Sequence, residues 1–401
     1  MHKRNIFFFL NMWKMSSFCF IIGLLIKIGG QTMRLVPIEC LNGGEIIAKT
    51  IIDETGSRLL SRNTSFKPYY KQKLVERGIE KIYIADELSE GIESKDVISE
   101  KVRVETIDLV KDMVSLFKAT QQIDVNRLED SVIRIIEDIL NNKEILYDMV
   151  DIKTKDNYTY CHCVNVSVLC VMLGRKMGAN RSYLKKLALG GLLHDFGKIL
   201  IPDEILNKPL KLSNTEFDLV KLHPLQGYQI FKDHPLLTPI SKAMILMHHE
   251  QISGEGYPLG VPRDKIPEGA KICAICDVFD AMTSKRIHRD PYTIIDTLNE
   301  MEKMTRYHLD PDIFKIFRSI ICYYPVGTTV LLTDETIAIV EKNKTESISQ
   351  PTVRVIYDLK SQQELFKRLD LMLCDDVKIK RELIPEEYMN NPSILRAMKQ
   401  S

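Results

Sequence analysis

Seven side chains able to bind metal stand in the middle of this 401-residue chain, in the order His162, His194-Asp195, His223, His248-His249 and Asp277. Successive groups lie about 25 to 32 residues apart, room for roughly two average helices and a turn. Each group can therefore come from a different helix, all converging on one point. Neighbouring residues on a helix diverge by about 100°, which suits a pair touching two metal ions better than a pair serving one. The pattern constrains the fold to a helical bundle around a binuclear centre, and paired ions of that kind act on phosphate esters.

A single histidine is more often a core or surface residue than a ligand, so the local sequence around each group carries weight. His194-Asp195-Phe196-Gly197-Lys198 follows an amphipathic run with Leu184, Leu187, Ala188 and Leu192 at helical spacing, and Gly197 reads as a helix end. His223 precedes Pro224, where a helix stops or kinks, and follows a helix opened by a Ser213-x-x-Glu216 capping box. Thr238-Pro239 opens another helix, whose Ile240, Ala243, Met244 and Met247 run into His248 and His249. Asp277 shares a face with Ala270, Cys273, Ala274 and Ala281, small side chains that leave space beside the carboxylate.

These segments, with Glu250, Gly254-Glu255-Gly256-Tyr257-Pro258 and Asp277-Val278-Phe279-Asp280-Ala281-Met282-Thr283, resemble the HD-GYP family, a branch of the HD metal-dependent phosphohydrolases, over about residues 155 to 320. The resemblance implies a mainly α, HD-type helical bundle that hydrolyses the bacterial second messenger cyclic di-GMP to linear pGpG or GMP. It implies that His162, His194 and Asp277 serve one metal and His223, His248 and His249 the other, with Asp195 shared. Iron or manganese is the implied pair of divalent cofactors. Asp195 and Lys198 would carry catalysis, although a lysine at a helix end is also simply a solvated residue. Gly256, Tyr257, Pro258, Arg286 and Arg289 would hold substrate, whereas the bland reading of the loop is a surface turn. Glu250 reads as an acceptor orienting a metal-bound histidine or as an exposed helix residue.

Two departures qualify the match. Tyr158 stands where some members carry a glutamate supporting a third metal, which favours a binuclear site. Ile252 and Ser253 replace an aromatic and an aspartate ahead of the loop. They keep open a noncatalytic cyclic-dinucleotide sensor, or a hydrolase of another cyclic dinucleotide such as cyclic GMP-AMP.

The formal charge of +1 provides no global basic field, so no DNA or RNA polymer is expected as a partner. Nine cysteines without regular spacing indicate a reducing, cytoplasmic setting, and Cys273 and Cys276 read as core packing despite their redox-motif interval. Residues 1–32 form an apolar extension whose segment 5–28 resembles a signal or membrane anchor interrupted by Asn11 and Lys14, while Met33 reads as a natural start. Residues 33–90, with turns at Gly43-Gly44 and Thr55-Gly56, read as a small α/β regulatory or docking domain able to engage a signalling partner. Residues 91–150 read as a helical linker, with Ile107, Val110, Val114 and Phe117 on one stripe. Residues 151–322 form the expected catalytic bundle, with a homodimer as one arrangement, and 323–401 a β-rich appendage with a charged, peripheral tail from Asp375.

Overall fold

The computed structural model describes residues 32–53, 57–94, 96–142, 146–147, 159–284 and 292–399. Apart from Thr32, the apolar extension lies outside the described residues, as do Tyr158 and the Thr55-Gly56 turn. Short apolar runs after Met33 form β1 (Arg34–Pro37), β2 (Ile46–Ile47), β3 (Ile51–Ile52) and β4 (Arg58–Leu60). Helix α1 (Pro68–Glu76) begins on a proline, whose missing amide hydrogen costs nothing in a first turn, and leads into β5 (Lys81–Ala85). An antiparallel sheet runs β1-β5-β2, with Val36 opposite Ile82, and β3 pairs with β4.

Two long helices follow. In α2 (Glu100–Thr120) the Ser99 hydroxyl caps the first turn, and Ile107, Val110, Val114 and Phe117 form the buried stripe that the spacing gives them. Helix α3 (Asn126–Asn141) packs beside it through Leu128, Val132, Ile135 and Ile139. The bundle continues through α4 (Thr159–Lys176), α5 (Arg181–Leu193), α6 (Asp203–Leu206), α7 (Asn214–Val220), α8 (His223–Phe231), α9 (Pro239–Met247), α10 (Glu268–Thr283), α11 (Ile294–Met304) and α12 (Pro311–Arg318). Helix α4 lies against α5 and α10, and α9 against α5, α8 and α10. Val164, Val168, Leu187, Ile245, Ile272, Phe279 and Phe317 fill the space between them with no exposed surface. Among the described residues, no helix is long and apolar enough to cross a membrane.

After the bundle, β6 (Thr329–Leu332), β7 (Thr336–Lys342), β8 (Thr352–Asp358), β9 (Gln363–Asp370) and β10 (Ile379–Glu382) form an antiparallel sheet in the order β10-β6-β7-β8-β9. Helices α13 (Pro385–Asn390) and α14 (Pro392–Lys399) end the chain. This sheet does not stand apart from the N-terminal strands. Leu35 forms a bridge with Thr328, the Tyr83 hydroxyl donates to the Val326 carbonyl at 3.3 Å, and Arg354 donates to the carbonyls of Leu88 and Glu90. Val36, Ile38, Leu41 and Ile82 share one core with Leu331, Ile339, Ile356, Leu383, Tyr388 and Ile394.

The tail is therefore not peripheral. Its charges face outward, while Leu383, Tyr388 and Ile394 point into the core the two chain ends share. Strands β9 and β10 escape the sequence reading because their apolar residues are interleaved with Lys, Arg and Glu; six consecutive positions of β9 are exposed along the sheet edge. Ile394→Ala should lower stability by about 2–5 kcal/mol, as for a buried isoleucine, measured as a shift in urea midpoint. A loss under about 0.5 kcal/mol, as at a surface position, would restore the peripheral reading.

Candidate metal centre

Each imidazole reaches the centre from a helix end or an inward helix face. His162 lies in α4 and Asp277 in α10, while His194, His223 and His248 lie just beyond or at the junctions where α5, α7 and α9 end. Pro224 does not stop a helix: it is the second residue of α8, which begins at His223. Nor is Gly197 the helix end. Helix α5 finishes at Leu193, and Gly197 sits in the following 3-10 turn, where an added Cβ would meet the His223 carbonyl oxygen at 2.0 Å. The glycine is needed for close approach of the two histidine-bearing segments.

Asp195 holds the middle. Its Oδ2 lies 3.5 Å from His162 Nε2 and 3.4 Å from His194 Nε2, while its Oδ1 lies 3.2 Å from His223 Nε2 and 3.7 Å from His248 Nε2. Asp277 Oδ1 is 3.1 Å from His162 Nε2, and its Oδ2 is 4.0 Å from His249 Nδ1. The seven side chains singled out from the sequence thus meet at one place, divided by the two oxygens of one carboxylate. Donor atoms of Asp195, His223, His248 and His249 form one compact group, and those of His162, His194 and Asp195 another.

The rings are oriented from behind. Nδ1 of His194 contacts the Gly191 carbonyl at 2.8 Å, that of His223 the Val220 carbonyl at 2.7 Å, and that of His248 the Ile245 carbonyl at 3.0 Å. A carbonyl can only accept, so each Nδ1 carries a hydrogen, and in the neutral ring each Nε2 then presents a lone pair inward. The Nε2 atoms of His223 and His248 then face each other at 3.2 Å, and among the described residues neither His194 Nε2 nor Asp195 Oδ1 has a hydrogen-bond partner although both are buried. Opposed lone pairs and an unsatisfied buried carboxylate oxygen are a donor set that fits a cation.

Burial opposes ionisation of Asp195, yet Lys198, His194 and His162 hold its carboxyl well below the usual range. Lys198 Nζ lies 2.5 Å from Asp195 Oδ2. Burial likewise disfavours charge on His162, but Asp195, Asp277 and Asp280 outweigh it and raise its pKa well above the ordinary value. His248, desolvated and facing His194 and His223, falls to about 4.

The loop residues are placed differently from one another. The Tyr257 ring stacks on His249 at 4.7 Å, and burial pushes its phenol pKa up. Gly256 packs against the chain itself, where a Cβ would lie 2.3 Å from the Gln251 nitrogen. Glu250 is neither exposed nor an acceptor for a histidine: its carboxylate takes the amides of Leu259, Gly260 and Val261 at 2.7, 3.3 and 3.2 Å and folds the loop back over the centre. The departing residues Ile252 and Ser253 use their backbone amides, which donate to the carbonyls of His308 and Tyr307. Arg286 and Arg289 lie outside the described residues. Sequence reading missed Asp280, whose Oδ2 lies 2.8 Å from His162 Nδ1, and Asn165, which donates to the other oxygen at 3.1 Å. The signal for Asp280 was its place one helical turn after Asp277.

Residues 134–313 match the HD domain family. A cyclic di-GMP phosphodiesterase of Pseudomonas aeruginosa is 35% identical over 253 residues, covering 62% of this chain and 61% of that protein. A 3'3'-cGAMP-specific phosphodiesterase of Vibrio cholerae is 32% identical over 177 residues, 44% of this chain and 34% of the relative. A cyclic di-GMP phosphodiesterase of Thermotoga maritima is 31% identical over 182 residues, 44% and 49% respectively. The matches thus span less than two thirds of these relatives.

Asp195→Ala should leave the helical circular dichroism in place and remove bound metal, read by elemental analysis after dialysis; full retention would overturn the shared-carboxylate arrangement. Because Asp195, Asp277 and Asp280 outweigh burial and raise the pKa of His162, the metal-free site favours the protonated ring. Ligation needs the neutral ring, so metal uptake should release a proton, seen as a heat that depends on buffer ionisation enthalpy.

Proposed function

We propose that this chain, whose residues 134–313 carry an HD domain, is a metal-dependent phosphodiesterase that hydrolyses cyclic di-GMP. The observation that carries the proposal is Asp195, buried and turning one carboxylate oxygen to each of two histidine groups. His162, His194, Asp277 and Asp195 would hold one divalent ion and His223, His248, His249 and Asp195 the other; the donor set suits iron, manganese, zinc or nickel, and the resemblance to the HD-GYP family implies iron or manganese. Bound there, the ions would acidify a water and neutralise charge developing on the phosphodiester.

The chain's own residues provide the rest. Lys198, with its Nζ already against Asp195, neutralises phosphoryl charge at the side of that carboxylate. Tyr257, seated over His249 by the turn at Gly256 and Pro258, offers an aromatic face to a nucleobase. Arg286 and Arg289 grip substrate phosphates through charge-assisted bonds. Cleavage gives linear pGpG, and a second cut gives GMP. A signalling partner would engage the chain through its N-terminal strands, which share a core with the C-terminal sheet. The cGAMP-specific relative makes cyclic GMP-AMP the competing substrate.

The test is anaerobic incubation of purified protein with iron or manganese and either cyclic di-GMP or cyclic GMP-AMP, followed by chromatography of the nucleotides. Linear pGpG or GMP formed faster than the mixed product supports the proposal, and the reverse preference reassigns the substrate. Bound but intact nucleotide would make the protein a sensor. Lys198→Ala should keep its metal and lose about 10²–10³-fold in kcat, the scale for removing one electrostatic contact to a transition state.

A further inference from the structure

Behind His162 a line of hydrogen bonds leaves the centre and reaches a helix outside the HD match. His162 Nδ1 lies 2.8 Å from Asp280 Oδ2. Asn165 Nδ2 donates to Asp280 Oδ1 at 3.1 Å, and Arg103 Nη1 donates to Asn165 Oδ1 at 2.7 Å. His162, Asn165 and Asp280 are all buried. Arg103 is the fourth residue of α2, whereas the HD match begins at residue 134.

The chemistry of the four groups gives the line a direction. A guanidinium can only donate, so it fixes which end of the Asn165 amide is oxygen. The amide nitrogen then faces Asp280, whose carboxylate can only accept. With one oxygen taken by Asn165, the other receives the His162 Nδ1 hydrogen, which leaves Nε2 aimed at Asp195 and Asp277, the nitrogen that would face an ion once its own proton has left. Nδ1 of His162 is held by a carboxylate that has a partner of its own, whereas Nδ1 of His194, His223 and His248 is held by backbone carbonyls. A carboxylate can rotate and an amide can turn over, so this ring depends on what stands behind it.

We infer that Arg103 is a positioning residue of the metal centre, acting through Asn165 and Asp280 to set the orientation of His162. The inference rests on the reading of His162 as a metal ligand. Its consequence is that α2 is joined to the site as well as to the N-terminal strands. Ser99, which caps α2, is held by Asp138 of α3 at 2.8 Å, and Glu100 pairs with Arg58 of β4 at 3.5 Å. A second thread runs beside it, where the Cys161 thiol, next to His162, contacts the Asp53 carbonyl after β3 at 3.9 Å. A displacement of the strands relative to the bundle is thereby felt at one ligand of one ion.

The experiment compares metal retention against graded chelator in the full-length wild type, Arg103→Met, Arg103→Lys and Asp280→Asn proteins, with the melting temperature of each metal-free protein measured alongside. Arg103→Met should weaken retention of one ion about 10-fold, the lower end of the range for losing an outer partner of a metal-bound histidine. Its metal-free melting temperature should stay within a few degrees of wild type, and Arg103→Lys should recover most of the retention. Adding Arg103→Met to Asp280→Asn should cost little more, because both act on one ring. Wild-type retention by Arg103→Met, or a loss matched by an equal fall in metal-free stability, would overturn the inference. His162→Ala separates the two levels: if it keeps both ions, the ligand assignment itself fails; if it loses one while Arg103→Met loses none, only the positioning role fails.

Discussion

The structure depends on the way helix ends are spent. A helix leaves its last carbonyls without intrahelical partners, and at the ends of α5, α7 and α9 the ring of the next histidine takes one of them. The same hydrogen bond that closes each helix also selects the tautomer that aims a lone pair at Asp195. Capping and ring orientation are one interaction, so the helices cannot shift along their axes without turning the rings. A buried carboxylate surrounded by imidazoles is costly in isolation. Here the cost is met partly by Lys198, whose ammonium touches Asp195.

Much of the site was legible because its chemistry is written in residue types with few alternatives. His162, His194, Asp195, His223, His248, His249 and Asp277 could be recognised from spacing, and the capping box at Ser213 and Glu216 forms as written. What could not be read was direction. Pro224 was consistent with the stop of one helix or the start of the next, and the packing of α8 against the 3-10 turn at Phe196–Leu200 decided for the start. Gly197 was consistent with a cap or with a close approach, and only the position of His223 distinguishes them. Glu250 was misread on both counts because its partners, three amides of the loop nine to eleven residues on, are fixed by a turn that no local pattern announces.

The fold was legible where apolar residues repeat and obscure where a sheet edge is disguised. The stripe of α2 and the strands β6, β7 and β8 follow their patterns closely. Strand β9 does not, since a strand with solvent on both sides has no inward face to mark. Asn165 and Arg103 were invisible for a different reason: a polar residue inside a helix declares itself only when the carboxylate it meets, 115 residues away for Asn165, is known.

The core shared by β1, β5, β6, β7 and the C-terminal helices makes the first and last parts of the chain a single body, with the entire bundle interposed in sequence. On a ribosome the N-terminal strands emerge long before Leu331, Ile339 or Tyr388 exist to cover them. The bundle, rich in local helical contacts, can collapse first. The strands must wait with Val36, Ile38 and Ile82 uncovered until the segment from Leu331 to Ile394 has been made, so closure of this body follows the bundle, and a ribosome that stops before that segment leaves behind a helical bundle carrying an open apolar sheet.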